Sequence, residues 1–326
     1  MNNRVLITGV AGFVGSHTAR KFLNEGWEVF GIDNFSKGYK ENISDLMENT
    51  NFYFLEHDIK NKFENFDFEL DCIFHFAAIG DIPYCFLHPE EAVNDNIIGT
   101  INVCDIAKRS KAMHIYFADT SAVYDSIYEE EKYPLMESYA PSAFSPNSIY
   151  AITKTAAANF LRSTCPIYGI GFTGFRYSNI YGPSMDLTRE VPPVIGGFAK
   201  KLLDGERPII YGDGSKIREF VYIQDLVDLH YKSIEYRMTM KNPTIFNVGS
   251  GNPVTIKEIY NIVWNICSEY KKDIPEYEDI DWHGPRINES EKVILNSGYV
   301  NTFCHWECNV SLEDGVRKTI ESIINK

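Results

Sequence analysis

The chain has 326 residues, room for roughly two domains, and its 44% apolar and 23% charged content is that of a globular protein and not of a disordered one. Its 31 basic and 45 acidic side chains leave a formal charge of −14. That excludes nucleic acid as the main partner, but not one phosphorylated small molecule held by a few placed arginines.

In chain order, Val5–Ile7 is a short β-branched run ending at a glycine-rich turn, and Ser16–Asn24 reads as the following helix. Trp27–Ile32 is a second strand, ending at Asp33. Phe52–Leu55, Cys72–Phe76 and Ile115–Phe117 repeat the short apolar strand, and Ala92–Lys108 has helical apolar spacing. Strands alternating with helices predict an α/β fold, a doubly wound parallel sheet covered on both faces. Residues 126–146 are polar, acidic and proline-containing, as in a surface loop, and Ser148–Ser163 is an alanine-rich helix. Beyond residue 180 the pattern changes. Pro183, Pro192 and Pro193 punctuate a loop, and Ile209–Tyr211 reads as an edge strand before Gly212-Asp213-Gly214. Ile245–Val248 and helices near 256–268 and 312–324 complete a smaller, less regular region packed against the first.

The N-terminal apolar stretch is short and broken by Gly9, Gly12 and Gly15, unlike a signal peptide, and no apolar run of about 20 residues is present. A cytoplasmic location is expected, with no membrane partner. Seven cysteines, odd and sparse, do not indicate a disulfide framework. Cys304 and Cys308 flank a His in CHWEC, but this is a single pair, so no metal is expected.

Thr8-Gly9-Val10-Ala11-Gly12-Phe13-Val14-Gly15 follows a strand and opens a helix. Glycine there allows a tight turn and close approach of backbone N–H groups to a pyrophosphate, and the helix N-terminus adds partial positive charge. Asp33 ends the next strand, where a carboxylate accepts from adenosine ribose hydroxyls and repels a 2′-phosphate. These residues point to NAD in preference to NADP.

Tyr150 and Lys154 are four apart and share a helix face. An ammonium beside a phenol stabilises the phenolate, so a lowered Tyr150 pKa is expected. Such pairs occur by chance in most proteins. This one gains weight from Phe117-Ala118-Asp119-Thr120-Ser121-Ala122-Val123-Tyr124, a strand end carrying hydroxyls, where Thr120 could bond a reacting oxygen.

With these motifs the chain resembles the extended short-chain dehydrogenase/reductase superfamily, specifically nucleotide-sugar 4-epimerases acting on UDP-hexoses or UDP-N-acetylhexosamines. The likeness covers nearly the whole chain. The glycine-rich turn matches TGxxGFxG, Asp33-Asn34-Phe35-Ser36-Lys37-Gly38 resembles DNxSxG, His75-Phe76-Ala77-Ala78 resembles HxAA, and Asn96-Ile97-Ile98-Gly99-Thr100 resembles NxxGT. Arg176–Pro183 is close to RYxNxYGP, Tyr211–Tyr222 matches YGDGxxxRDFVY with Glu219 for Asp, and Asn247–Gly251 matches NxGSG.

The resemblance implies an NAD-binding Rossmann domain over 1–180, with 219–248 returning to it, and a nucleotide-sugar-binding α/β domain over 181–218 and 249–326. It implies Thr120, Tyr150 and Lys154 as the catalytic trio. Gly9, Gly12, Phe13, Val14, Gly15, Asp33, Asn34, Ser36, Gly38 and Ile59 would hold the cofactor, with Asp58 at the adenine. Ala77, Ala78 and Asn96 would line its channel, and Tyr150, Lys154 and Tyr177 would also bind it. Asn179, Arg218 and Arg286 would hold the sugar diphosphate, Arg286 within PRINE, which resembles RxGE with Asn288 for Gly. A guanidinium fork suits phosphate oxygens. Ile209 and Tyr211 would border the base. NAD would stay bound between turnovers, a UDP-sugar would be the substrate, and the helices around 92–108 and Tyr150 would build a homodimer interface.

The implied reaction is removal of the sugar 4-hydroxyl proton by Tyr150, a transient 4-keto sugar, and return of hydride to the opposite face. Sister dehydratases and decarboxylases carry acids just after the catalytic Thr; here Ser121 and Ala122 follow, which disfavours dehydration. A 4,6-dehydratase, a decarboxylase, an epimerase at another carbon, a net oxidoreductase and a non-catalytic relative are the alternatives. Asp119 stands where the family usually has Ser, Asp125 where it usually has Gly, and Gly80-Asp81-Ile82-Pro83-Tyr84 resembles GSVPR but carries Asp and Tyr. Val293 falls at a gate position and is intermediate in size.

Overall fold

Seven strands lie side by side: β1 (Arg4–Thr8), β2 (Glu28–Asp33), β3 (Phe52–Glu56), β4 (Cys72–His75), β5 (His114–Thr120), β6 (Gly171–Tyr177) and β7 (Thr244–Val248). Their order is β7-β6-β5-β4-β1-β2-β3, with every neighbouring pair parallel. The computed structural model describes residues 3–325 except 65, 67, 126, 140–147, 237–241 and 287–288. Part of the 126–146 loop and Asn288 therefore lie outside the described residues. The chain runs outward from β1 to β3 and then crosses to β4, so strand order reverses between β1 and β4. Ligands of such sheets bind outside the carboxyl ends of the strands at that reversal.

Parallel strands buried on both faces read as apolar runs. Along β1, Val5 and Ile7 join one core and Leu6 the other, the period of two of extended chain. Helices α1 (Phe13–Asn24), α2 (Gly99–Arg109), α3 (Ile149–Thr164) and α4 (Ile223–Tyr236) cover the sheet. Phe22 of α1 and Leu226 of α4 pack on the first face, and Val103 of α2 and Leu161 of α3 on the second. Each is buried, and burying one such side chain contributes roughly 1.5–3 kcal/mol. Phe74 and Tyr116 stack between neighbouring strands with ring centres 4.5 Å apart.

The helix predicted over Ala92–Lys108 is in fact three pieces: Pro89–Val93, a wide π-type turn over Asn94–Ile98, and α2. Such turns carry an extra residue and recur at functional sites. This one holds Asn96, whose Oδ1 accepts from Ile79 N–H at 2.8 Å. Helix α1 starts three residues earlier than predicted, because extended Gly12 already serves as its N-cap. The Ile82–Leu87 helix was not foreseen; it is a short turn that Asp81 caps by accepting from Tyr84 N–H at 3.1 Å.

In the second region, Ile209–Tyr211 is paired in parallel with Asp281–His283, and Ile217–Arg218 antiparallel with Val254–Thr255. Helices Val194–Leu203, Ile256–Tyr270 and Leu312–Ile324 pack together through Phe198, Tyr260 and Ile320, which belong to the core on the sheet's first face. Thr255 and Glu258 close a reciprocal capping box at the start of the second helix.

Candidate active site

The turn after β1 admits only glycine at two places. Gly9 has φ +70°, and a Cβ there would lie 2.8 Å from Ala77 N. A Cβ on Gly15 would lie 2.1 Å from Gly9 O. Among the described residues no side chain caps α1, and its first turn holds no acid, which leaves its first N–H groups open to an anion. Asp33 braces the turn: Oδ2 accepts from Ala11 N–H at 2.9 Å and Oδ1 from Phe35 N–H at 2.8 Å. Burial raises its pKa above the usual carboxylate value, against those two bonds. Gly38 lets the next loop lie on this carboxylate, since a Cβ would sit 2.8 Å from Asp33 Oδ1. Asn34 Nδ2 donates to Asp58 Oδ2 at 3.0 Å, which links the residues predicted for the ribose and the adenine. Ser36 is exposed on that loop, and Ile59 is buried in the second core against Gly99. The cradle fits a dinucleotide.

His75, of the His75-Phe76-Ala77-Ala78 segment, has a structural role. It is buried, and burial pushes its pKa down to about 3, so it is neutral. Thr100 Oγ1 donates its proton to Asn96 O at 2.7 Å and must therefore accept from His75 Nε2–H at 2.9 Å. That leaves Nδ1 bare, to accept from Thr8 Oγ1 at 2.7 Å, and Thr8 accepts from Ala77 N–H at 3.2 Å. One imidazole thus fixes the turn, the Ala77-Ala78 segment and the Asn96 turn together. Asn96 is 1% exposed, and its Nδ2 donates to Ile79 O and Thr153 Oγ1. It shapes the channel by holding these elements. Likewise Thr18 donates to Val14 O, so His230 Nδ1–H donates to Thr18 Oγ1 at 3.0 Å and His230 Nε2 accepts from Tyr177 OH at 2.8 Å. Neither histidine carries a signal in the sequence, since their hydroxyl partners are distant along the chain.

Thr120 ends β5, and Tyr150 and Lys154 lie on α3, which Ser148 caps by accepting from Ala151 N–H at 3.1 Å. Thr120 acts on the Tyr150 phenol, and its Oγ1 accepts from Ala122 N–H at 3.1 Å. The lowered Tyr150 pKa expected from the sequence is not what the structure shows. Burial pushes the phenol up to about 12, with Thr120 acting to lower it. Lys154 is 3% exposed, with Nζ 4.0 Å from the Phe117 ring centre. Burial pushes it down to about 8, and Asp119 is the charge that opposes this. Asp119 is buried, its Oδ2 accepts from Arg176 Nε at 2.8 Å, and its Oδ1 has no hydrogen-bond partner among the described residues. Asp125 receives the Ser290 hydroxyl at 2.9 Å, and burial pushes its carboxyl up to about 6.

At the other end, Arg286 lies 4.0 Å over the Tyr211 ring, which meets His283 edge-on, and Ile209 lies two residues earlier on the same short strand. Arg218 is held by the chain around it. Its Nη1 donates to Ile217 O at 2.8 Å and its Nη2 to Ser290 O at 2.8 Å and Glu289 Oε1 at 3.3 Å. Asn179 is exposed, with Nδ2 donating to Glu219 O at 3.1 Å. Asp81 turns one oxygen to its own helix terminus. Val293 is 5% exposed, packed in a cluster with Val123 and Leu135.

A family model described as the NAD dependent epimerase/dehydratase family matches residues 5–249. The chain belongs to this family. NAD is its cofactor, and the glycine cradle and Asp33 fit that dinucleotide. A putative UDP-glucose 4-epimerase of Methanocaldococcus jannaschii is 28% identical over 98% of each chain. UDP-glucuronic acid decarboxylase 1 of Danio rerio is 30% identical over 98% of this chain and 72% of that protein. The crystal structure of UDP-glucose 4-epimerase from Thermotoga maritima with UDP-glucose matches with a TM-score of 0.86 and 28% identity, covering 99% of both chains. The chain is thus an enzyme of the epimerase/dehydratase kind on a Rossmann fold. Among the described residues, no helix is long and apolar enough to cross a membrane.

Proposed function

We propose that the protein epimerises a nucleotide-diphosphate sugar at C4, of the UDP-glucose/UDP-galactose type or an N-acetylated equivalent, through a transient 4-keto sugar. The observation that carries this is Thr120 at the end of β5 acting on Tyr150 of α3, with Ser121 and Ala122 following Thr120 instead of an acid. Relatives named as UDP-glucose 4-epimerases support it.

NAD, when bound, supplies reversible oxidation of a sugar carbinol to a ketone. The turn from Gly9 to Gly15, with Phe13 and Val14, would hold its diphosphate, and Asp33, Asn34, Ser36, Gly38, Asp58 and Ile59 its adenosine. Ala77, Ala78, Asn96, Lys154 and Tyr177 would border the rest. Tyr150 takes the 4-hydroxyl proton as phenolate, and Thr120 bonds the same oxygen. A phenol near 12 makes this proton transfer costly at neutral pH, at about 1.4 kcal/mol per unit. The buried ammonium of Lys154 supplies positive charge on the same helix face, in a setting where charges act strongly. Asn179, Arg218 and Arg286 hold the sugar diphosphate, and Ile209 and Tyr211 border the base. Arg218 reaches it by exchanging its Glu289 contact for phosphate oxygens.

On this reading residues 1–180 and 219–248 form the dinucleotide domain, and 181–218 with 249–326 the sugar-nucleotide domain. The pairing of β7 with β6 supports the return of the second segment. Exposed Ile101 on α2 and Ile152 on α3 support a homodimer through these helices. Incubating the purified protein with UDP-hexoses and UDP-N-acetylhexosamines, without added NAD, tests the proposal. A product of unchanged mass, inverted at C4 by NMR, is expected. Loss of water would establish a dehydratase, and loss of carbon dioxide from a UDP-uronic acid a decarboxylase.

A further inference from the structure

A cavity of about 300 Å³ opens beside the loop that follows Asp33. Three segments wall it: the loop carrying Lys37 and Gly38, the loop carrying Asp81 and Tyr84, and the segment carrying Asp186 and Arg189. Each is tied to the dinucleotide cradle. Tyr39 N–H donates to Ala11 O at 3.0 Å, and the Tyr84 loop continues from the Ala77 segment against which Gly9 packs. His17 of α1 donates through Nε2 to Pro183 O at 3.0 Å, and Tyr39 OH reaches Asp186 Oδ1 at 2.9 Å.

Charge accounting at this mouth is unbalanced. A dinucleotide diphosphate brings two negative charges, and a helix N-terminus offers about half a positive charge. The basic residues of α1 do not supply the rest: Arg20 is paired with Asp45, Lys21 with Glu25 and Asp228, and His17 is held towards neutrality by burial. The wall carries three carboxylates, Asp81, Asp186 and Glu190, and two cations, of which Arg189 is bound through Nε to Asp186 at 3.0 Å. Lys37 has no carboxylate partner among the described residues. Its Nζ rests 4.0 Å from the Tyr84 ring centre, a contact that steers an ammonium without neutralising it. Tyr84 is in turn anchored through its hydroxyl to Glu91 Oε2 at 2.9 Å. It stands where the resembling GSVPR loop carries its arginine, so the cation missing from one loop is supplied by the neighbouring one.

We propose that Lys37, held on the face of Tyr84, is the cation that binds the cofactor's diphosphate. This rests on NAD being the cofactor and not on which sugar reaction follows, so a failure here leaves the C4 proposal standing. The test uses the holoenzyme. Release of bound NAD is followed by exchange against labelled NAD, and UDP affinity is measured by calorimetry, for wild type, Lys37→Met and Lys37→Arg. Lys37→Met is expected to speed NAD release about tenfold and to flatten its salt dependence. Lys37→Arg should stay within about twofold of wild type, and UDP affinity should not change in either variant. An unchanged NAD release rate in Lys37→Met overturns the proposal. So does a loss of UDP affinity matching that of NAD, which would assign Lys37 to the substrate's diphosphate. Unchanged circular dichroism and melting temperature show that Lys37→Met is folded, and Tyr84→Phe, which keeps the ring, should retain NAD better than Tyr84→Leu.

Discussion

The hydroxyl of Thr8 gives its one proton to Nδ1 of His75, 2.7 Å away, and accepts the Ala77 N–H in return. Thr8→Val keeps the shape and removes both bonds. Two buried polar groups are then unpaired, at about 1–3 kcal/mol each. Urea denaturation should show a loss of that order, and NAD release should quicken because the Ala77 segment loses its tether.

His230 sets a second expectation, for acid. Its folded pKa is pushed down to about 3 by burial, below the 6.5 of the unfolded chain. Below pH 6.5 the unfolded state therefore binds more protons, and stability is lost as pH falls from 6.5 towards 3. At pH 5 this one residue costs about 2 kcal/mol relative to neutral pH. His230→Phe removes the titration but also the Tyr177 partner. Its stability deficit against wild type should accordingly narrow by about 2 kcal/mol between pH 7.5 and pH 5, read from urea curves at each pH. A constant deficit would show that His230 does not titrate on unfolding.

The sheet was legible because strands buried on both faces are apolar runs, and the glycine turn with Asp33 placed its strand reversal. The π-type turn at Asn94–Ile98 was not, because hydrophobic spacing cannot register one extra residue in a continuing helix. The buried imidazole relays were equally hidden. Thr8 and His75 are 67 positions apart, and only the β1–β4 pairing brings them together. Of the site, Tyr150 and Thr120 were legible as a motif. The upward push on the Tyr150 phenol was not, because burial is a property of the whole packing.

Asp119 and Arg176 form a buried ion pair across β5 and β6, with Arg176 also donating to Tyr124 OH at 3.0 Å. Removing one partner strands the other charge, so Asp119→Ala should cost about 3–5 kcal/mol in denaturant. Asp119→Asn keeps an acceptor for Arg176 and should cost clearly less.

Tyr150→Phe removes the proposed base and little else. Turnover should fall by at least about a thousandfold, while NAD, counted by its absorbance after denaturation, stays bound in wild-type amount. Substantial residual epimerisation would remove Tyr150 from its proposed role.

The most direct measurement follows a UDP-hexose carrying deuterium at C4, incubated with the holoenzyme and read by NMR. Inversion at C4 with the deuterium still on C4 is predicted, because the same hydrogen leaves and returns within one closed site. Deuterium lost to solvent, or a product lacking the 6-hydroxyl or C6 itself, would contradict C4 epimerisation.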